Sequence, residues 1–530
     1  MARTSCSDHA SRVPEKETTS TGPAERQAMT TFPSVTCGGS LPLEAELSRR
    51  IETLGAIRWY RSGMPAPLLF AAVLSVAAAQ PPDSQALAPE ALSAAWTTAR
   101  VSPPLGSYAP EALVADLERL VSGSGGLVRI AERGASAEGR PILVLAAGNG
   151  PEKVLLWSQM HGDEPTATCA LVDVLSHLVA TRAEPATEQL LSRLTLLVLP
   201  MLNPDGAVRN DRRNAQGIDI NRDAVELQTP EGRFLKAVRD RFAPAAGFNL
   251  HNQGALVTAG PTGPQSALAV LAVPGAESEP DGPAVVRKKG LGVVMARAAE
   301  PFGPGRVARY DMSYTQRAFG DSMSRWGTPT VLLETGGWDG PDEAGRLVRL
   351  NFVVLLSALH ALARGEEALA APAYETLPFN VRGRLVDLIL RDATVHGGRE
   401  LPPFHADVAF VRPRAFAGEG QRLAAAIVTG VGDLDHLCGL EEVDATGFVV
   451  APAPPGGAPA WEKTLAGLGA RGLAKGGLLL LDDAALAREA KAWADGRAIT
   501  PWTSVDLVLF RRTETGLVVE GFVRDGVRGR

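Results

Sequence analysis

Between about residues 108 and 365, short β-branched or Leu-rich runs alternate with longer amphipathic stretches, and this alternation constrains the fold most. Val154–Met160 (VLLWSQM), Leu194–Leu199 (LTLLVL) and Thr330–Thr335 (TVLLET) are short runs of the kind expected of strands buried on both faces. Phe248 to Leu250 predicts a further short strand ending at His251. Pro165 to Ala180 carries apolar residues on a helical period, and Glu343 to about Arg364 predicts a long closing helix. Strands alternating with helices imply an α/β fold.

The chemistry-bearing residues fall where such a sheet places a site. His161 and His251 follow predicted strands, and Glu334 stands near the end of another. Open α/β sheets bind ligands in crevices at the carboxyl ends of their strands. His161-Gly-Asp-Glu164 is a His-x-x-Glu arrangement, which carries little weight alone. At a strand-to-helix turn, however, both side chains can aim at one point. A third ligand from a distant strand end then leaves one position open, which is the arrangement of a catalytic zinc. His251 is the best third ligand. His177 and His360 lie in helical patterns, while His396, His405 and His436 lie beyond the α/β region.

Asn203-Pro-Asp-Gly206 reads as a tight turn. It is followed by Arg212-Arg-Asn-Ala-Gln-Gly-Ile-Asp-Ile-Asn221-Arg222. Guanidinium groups held on such a segment suit a substrate carboxylate or a developing oxyanion. With these pieces in order (HGDE at 161–164, NPDG at 203–206, RRNAQGIDINR at 212–222, NLH at 249–251, ETGG at 334–337), the chain resembles the zinc carboxypeptidases. These are the carboxypeptidase A/B-like metallopeptidases, and the resemblance covers about residues 105–365. It implies their fold, a mixed central sheet with helices on both faces, and one zinc ion per chain, held by His161, Glu164 and His251. It implies that Arg212 polarises the scissile carbonyl, and that Asn221 and Arg222 grip the substrate's terminal carboxylate. Glu334 matches the general base. Tyr314 is the expected substrate-capping tyrosine, with Tyr310 as the fallback.

The rest of the 530 residues divides around that region. Residues 1–63, rich in Ser, Thr, Pro and charge, read as a disordered or over-long extension. Met64 to Ala79 is a short apolar run ending in three alanines, a pattern expected of a secretory signal peptide. A secreted or periplasmic chain beginning near Gln80, with no stable membrane span after cleavage, follows. Residues 80–104 and the Pro- and Ala-rich 366–380 read as linkers, and 381–530 as a non-catalytic, β-rich, sandwich-like domain. Asp387–Val395, Ala406–Phe410, Val443–Pro452 and the tail from Val505 resemble the small β-sandwich of amidohydrolases such as D-aminoacylases and dihydroorotases. Four scattered cysteines make neither a disulfide framework nor a Cys-type zinc site. A net charge of −6 without a long Lys/Arg block gives nucleic acid no electrostatic footprint.

The expected partner is a peptide with a free C-terminal carboxylate, and the oligomeric state is not legible. Two alternatives stand beside the peptidase: a zinc amidohydrolase of N-acyl amino acids, and a binding protein without catalysis.

Overall fold

The computed structural model describes residues 87–105, 108–311, 313–339, 342–395, 402, 404–411, 427–446 and 448–452, with the shorter segments 479–481, 507–513, 516–524 and 527–529. The expected extension, signal segment, Cys6 and Cys37 lie outside them.

An eight-stranded mixed sheet forms the frame. Its strands are β1 (Val128–Ala135), β2 (Pro141–Ala147), β3 (Glu152–Ser158), β4 (Leu194–Leu199), β5 (Ala246–Asn252), β7 (Leu268–Ala272), β8 (Val307–Arg309) and β9 (Thr330–Thr335). The short β6 (Val257–Ala259) lies outside this sheet. The order is β1-β2-β4-β3-β5-β9-β7-β8, and the central four, β4, β3, β5 and β9, run parallel.

The alternation of side chains along a strand shows why these runs are apolar throughout. In β3, Val154 and Leu156 enter one core, with the helices Thr166–Ala180 and Glu343–Arg364. Leu155 and Trp157 enter the other, with Phe319, Leu235 and Val238. With both faces covered, the four residues Val154 to Trp157 are all apolar, and the polar ones, Glu152, Lys153 and Ser158, fall at the strand's two ends.

The expected helices and strands appear within a few residues of their predicted bounds, with two local differences. His251 lies within β5 rather than after it. Asn203-Pro-Asp-Gly206 is not a bare turn but the start of a helix, Pro204–Arg209, capped by Asn203 Oδ1 accepting from the Gly206 N–H at 2.9 Å.

Two segments read as linkers are structured. Pro89–Ala99 is a helix with Leu92 and Trp96 buried. Asp173, fully buried in the Thr166–Ala180 helix, holds it: Trp96 Nε1 donates to Oδ2 at 2.9 Å, and the Val101 and Ser102 N–H groups donate to Oδ1 at 2.9 Å. After the closing helix, Glu367–Ala370 and Ala371–Thr376 form short helical turns, with Tyr374 buried and its hydroxyl accepting from the Ala272 N–H at 2.9 Å. Proline opens the Pro89–Ala99 helix, at a position where its missing N–H costs nothing.

Strand β10 (Asn380–Arg382) pairs antiparallel with β6 and leads into a second sheet. That sheet comprises β11 (Leu385–Val395), β12 (Phe404–Val411), β13 (Ile427–Gly432), β14 (Cys438–Asp444), β15 (Phe448–Pro452), β16 (Leu479–Leu481), β17 (Leu507–Thr513), β18 (Gly516–Arg524) and β19 (Val527–Gly529). All nine are hydrogen-bonded into one sheet, in which β11 pairs parallel with β14 along one half and with β15 at its end. The β-rich character is as expected.

Candidate metal centre and substrate cavity

Strand β3 is where the winding reverses: β4 pairs on one side of it and β5 on the other. A crevice opens at the carboxyl ends of strands at such a point. The chain leaves β3 through Gln159, whose φ of 49° is a left-handed conformation. Such a conformation costs a non-glycine residue about 1–3 kcal/mol and persists only where neighbours fix it. Here Gln159 Nε2 donates to Gly162 O at 2.9 Å, and Thr168 Oγ1 donates to Gln159 Oε1 at 2.7 Å. Asn203 Nδ2 donates to Met160 O at 3.3 Å from the other side.

The result brings His161, Glu164 and His251 together, all buried. His161 Nδ1 and His251 Nδ1 each stand 2.7 Å from a different oxygen of Glu164, and 3.2 Å from one another. The Asn252 N–H also donates to Glu164 Oε2, at 3.1 Å. Two nitrogens bound to one zinc at about 2.0–2.1 Å in a tetrahedron are roughly 3.3 Å apart. The donor set and its spacing therefore fit zinc, with the two Nδ1 atoms and the carboxylate as the binding atoms.

Asp219 completes this arrangement, and sequence reasoning missed it. Its Oδ1 stands 3.2 Å from His161 Nε2, while Arg212 Nε donates to its Oδ2 at 3.1 Å. A carboxylate on the far nitrogen of a ligating imidazole fixes the ring's orientation and tautomer. The signal was an acidic residue inside the Arg-rich segment, aimed inward by the tight turn its own carboxylate caps at Asn221.

The charges are strongly interdependent. Burial alone would raise the Glu164 carboxyl, but His161 and His251 outweigh it and hold Glu164 far below the usual carboxylate range. Burial pulls His161 down, but Glu164 and the Asp219 hydrogen bond prevail and push it up to about 9. Burial lowers His251. Glu334 is pushed up to about 8 by burial, reinforced by the charge on Glu164.

One cavity, of about 1080 Å³, gathers most of the expected residues: His161, Glu164, Arg212, Asn221, Arg222 and Glu334. Glu334 on β9 is the register partner of His251 on β5, so the two sit side by side at the carboxyl ends of these central strands. Arg212 reaches toward the triad, with Nη1 3.1 Å from His161 Nδ1 and 3.4 Å from Glu164 Oε1. Asn221 is held by its Oδ1, which accepts from the Phe319 N–H at 2.9 Å, and Arg222 Nη1 donates to Asn221 O at 2.7 Å. Leu271, Val273 and Leu332 give the cavity an apolar face.

The tyrosine expectation is corrected. Tyr314 does not line the cavity; its hydroxyl lies 3.5 Å from Gly275 O. Tyr310 lines it instead, buried to 8% exposure. Tyr310 follows directly after β8 and its N–H bonds Val270 O, so the sheet itself aims the ring, whereas Tyr314 lies further along the connecting segment. The second sheet also contributes a wall, through Asp387, Val411, Leu440 and Glu441, with Arg382 at the junction. Nothing in the sequence placed those residues near the site.

Residues 113–249 match the zinc carboxypeptidase family. The probable carboxypeptidase 2 of Arthroderma benhamiae is 35% identical over 136 residues, 24% of this chain and 26% of that protein. Carboxypeptidase D of Mus musculus is 32% identical over 139 residues, 19% of this chain and 10% of that protein. The chain thus spans about a quarter of the length of the fungal relative and a tenth of the mouse protein. A carboxypeptidase A structure from Helicoverpa armigera superposes on 50% of this chain and 75% of its own, at 19% identity and a TM-score of 0.40, too low to add to the description of the fold.

Proposed function

We propose that the zinc carboxypeptidase domain carried by this chain hydrolyses the C-terminal peptide bond of peptides, with one zinc ion held by His161, Glu164 and His251. The observation that carries this reading is the shared cavity: His161 and Glu164 of the triad line it together with Glu334, Arg212 and the Asn221–Arg222 pair, and His251 stands directly behind Glu164.

Zinc bound at the triad supplies Lewis-acid polarisation and activation of water. Arg222 pairs with the terminal carboxylate of the peptide, for which a planar fork of donors is well shaped, and Asn221 supports it. That contact sets the register, so only the last peptide bond reaches the triad. Arg212 donates to the scissile carbonyl oxygen as negative charge develops there. Glu334, held by burial as a strong proton acceptor, takes the proton of the attacking water on its carboxylate oxygen. It then delivers that proton to the departing amine nitrogen. Asp219 keeps the His161 ring in place throughout. Export of the chain is a further part of the proposal and rests on the Met64–Ala79 segment alone.

An N-blocked dipeptide, its C-terminal amide and an N-acyl amino acid separate the readings. Release of the terminal amino acid from the dipeptide is expected. The amide is expected to be cleaved about 100-fold or more slowly, because Arg222 is then left without its charged partner. Equal rates on acid and amide, or preference for the N-acyl amino acid, would overturn the carboxypeptidase reading.

A further inference from the structure

The segment that joins the two sheets is fastened to the site at several points. The Arg309 N–H donates to Pro378 O at 2.6 Å, and the Gly260 N–H to Phe379 O at 2.8 Å. Asn380 is buried; its Nδ2 donates to Gln253 Oε1 at 2.9 Å, and its Oδ1 accepts from the Asp311 N–H at 2.9 Å. Gln253 stands two residues after His251, and Asp311 one residue after Tyr310. The antiparallel pairing of β10 with β6 then sets Arg382 opposite Val257, itself a cavity residue. The segment is a strap whose path is fixed by the strand ends that build the site.

Arg382, the last residue of the strap, reaches the cavity. Its Nη2 donates to the Tyr310 hydroxyl oxygen at 2.7 Å, and its guanidinium carbon lies 5.5 Å from the centre of the Tyr310 ring. Its charge is also felt by Glu334, which lines the same cavity. A guanidinium has donors only, so the Tyr310 oxygen must be the acceptor of this bond. The phenol's own proton is then free to be given elsewhere, and the adjacent cation strengthens it as a donor. Tyr310 faces the cavity that also holds Glu334.

We propose that Arg382 is a positioning residue that fixes the Tyr310 hydroxyl as a hydrogen-bond donor to the bound peptide, making the strap between the sheets part of the substrate-binding machinery. This rests on the carboxypeptidase reading above. It assigns the strap a role beyond connection, because the path from Leu377 to Arg382 decides where the donor points.

The test is a double-mutant cycle in the zinc-loaded full chain: wild type, Arg382→Ala, Tyr310→Phe and the double variant, each assayed for KM and kcat on an N-blocked dipeptide. Arg382→Ala and Tyr310→Phe are each expected to lower kcat/KM by about 10- to 100-fold. The larger part of each loss is expected in KM. The double variant is expected to match Tyr310→Phe alone, because Arg382 acts through the hydroxyl that Tyr310→Phe already lacks. Arg382→Lys, which keeps a donor, is expected to recover part of the loss and guards against an Ala variant that folds poorly. Losses that multiply in the double variant, or an Arg382→Ala chain with wild-type kinetics, overturn the proposal. A wild type that cleaves no peptide overturns the carboxypeptidase reading, and this inference with it.

Discussion

Replacing Glu334 with Gln is expected to lower kcat by about 10²- to 10⁴-fold while the protein keeps its zinc. The amide preserves the shape of the side chain and cannot accept the proton of the attacking water. The atoms proposed to hold the metal belong to His161, Glu164 and His251 and are untouched. KM is expected to change little, since Arg222 and Asn221 set substrate binding.

The same substitution has a pH signature in the metal-free chain. The Glu334 carboxyl is raised from 4.5 to about 8 on folding, so between those values the folded state holds a proton that the unfolded state has lost. Stability contributed by this group is therefore present at acid pH and falls as pH rises through that window. Glu334→Gln removes the dependence, so the variant gains on the wild type in urea denaturation as pH rises from about 5 to 8. Retained activity in the zinc-loaded variant would remove Glu334 from the mechanism. An unchanged pH dependence of stability would contradict its buried, proton-holding state.

The second large effect is expected at Gly162, between His161 and Glu164. A Cβ there would lie 2.0 Å from the carbonyl carbon of Gly206 and 2.3 Å from the Ala207 nitrogen. Both are backbone atoms of the Pro204–Arg209 helix, so no side chain can rotate aside. Gly162→Ala must push the His161–Glu164 turn off that helix, at a cost of about 1–3 kcal/mol or more in folding. A shift of about 1 Å at reacting groups lowers rates on the order of 100-fold, and zinc affinity is expected to fall with it. Urea denaturation and zinc titration of Gly162→Ala check both. Wild-type values in both would show that the turn is not seated as described.

This contact also shows why parts of the site were legible in the sequence and parts were not. The ends of β3, β5 and β9 could be read because strands buried on both faces leave apolar runs, and a polar residue at their edge stands out. That placed His161, His251 and Glu334 at strand ends, while their roles and that of Glu164 were implied by the family resemblance. Tyr314 was preferred to Tyr310, because both lie beside an irregular connection whose path has no periodicity to rank them by. Asp219 and Arg382 were missed for different reasons. Asp219 looks like one more charge in a charged segment until its distance to His161 is known. Arg382 belongs to a stretch whose composition suggests a linker, and only its pairing with β6 brings it to Tyr310. The Pro89–Ala99 helix was overlooked likewise, since Asp173, which holds it, lies 77 residues from Trp96.

The central claim is that His161, Glu164 and His251 form one zinc site, and zinc titration of the metal-free chain tests it most directly. Glu164 keeps His161 protonated up to about pH 9, so a zinc ion entering the site must displace that proton. One zinc per chain is expected, with affinity rising about tenfold per pH unit from neutrality toward about 9, and loss of the site in Glu164→Ala. No zinc uptake by the wild type, or equal uptake by Glu164→Ala, would contradict it.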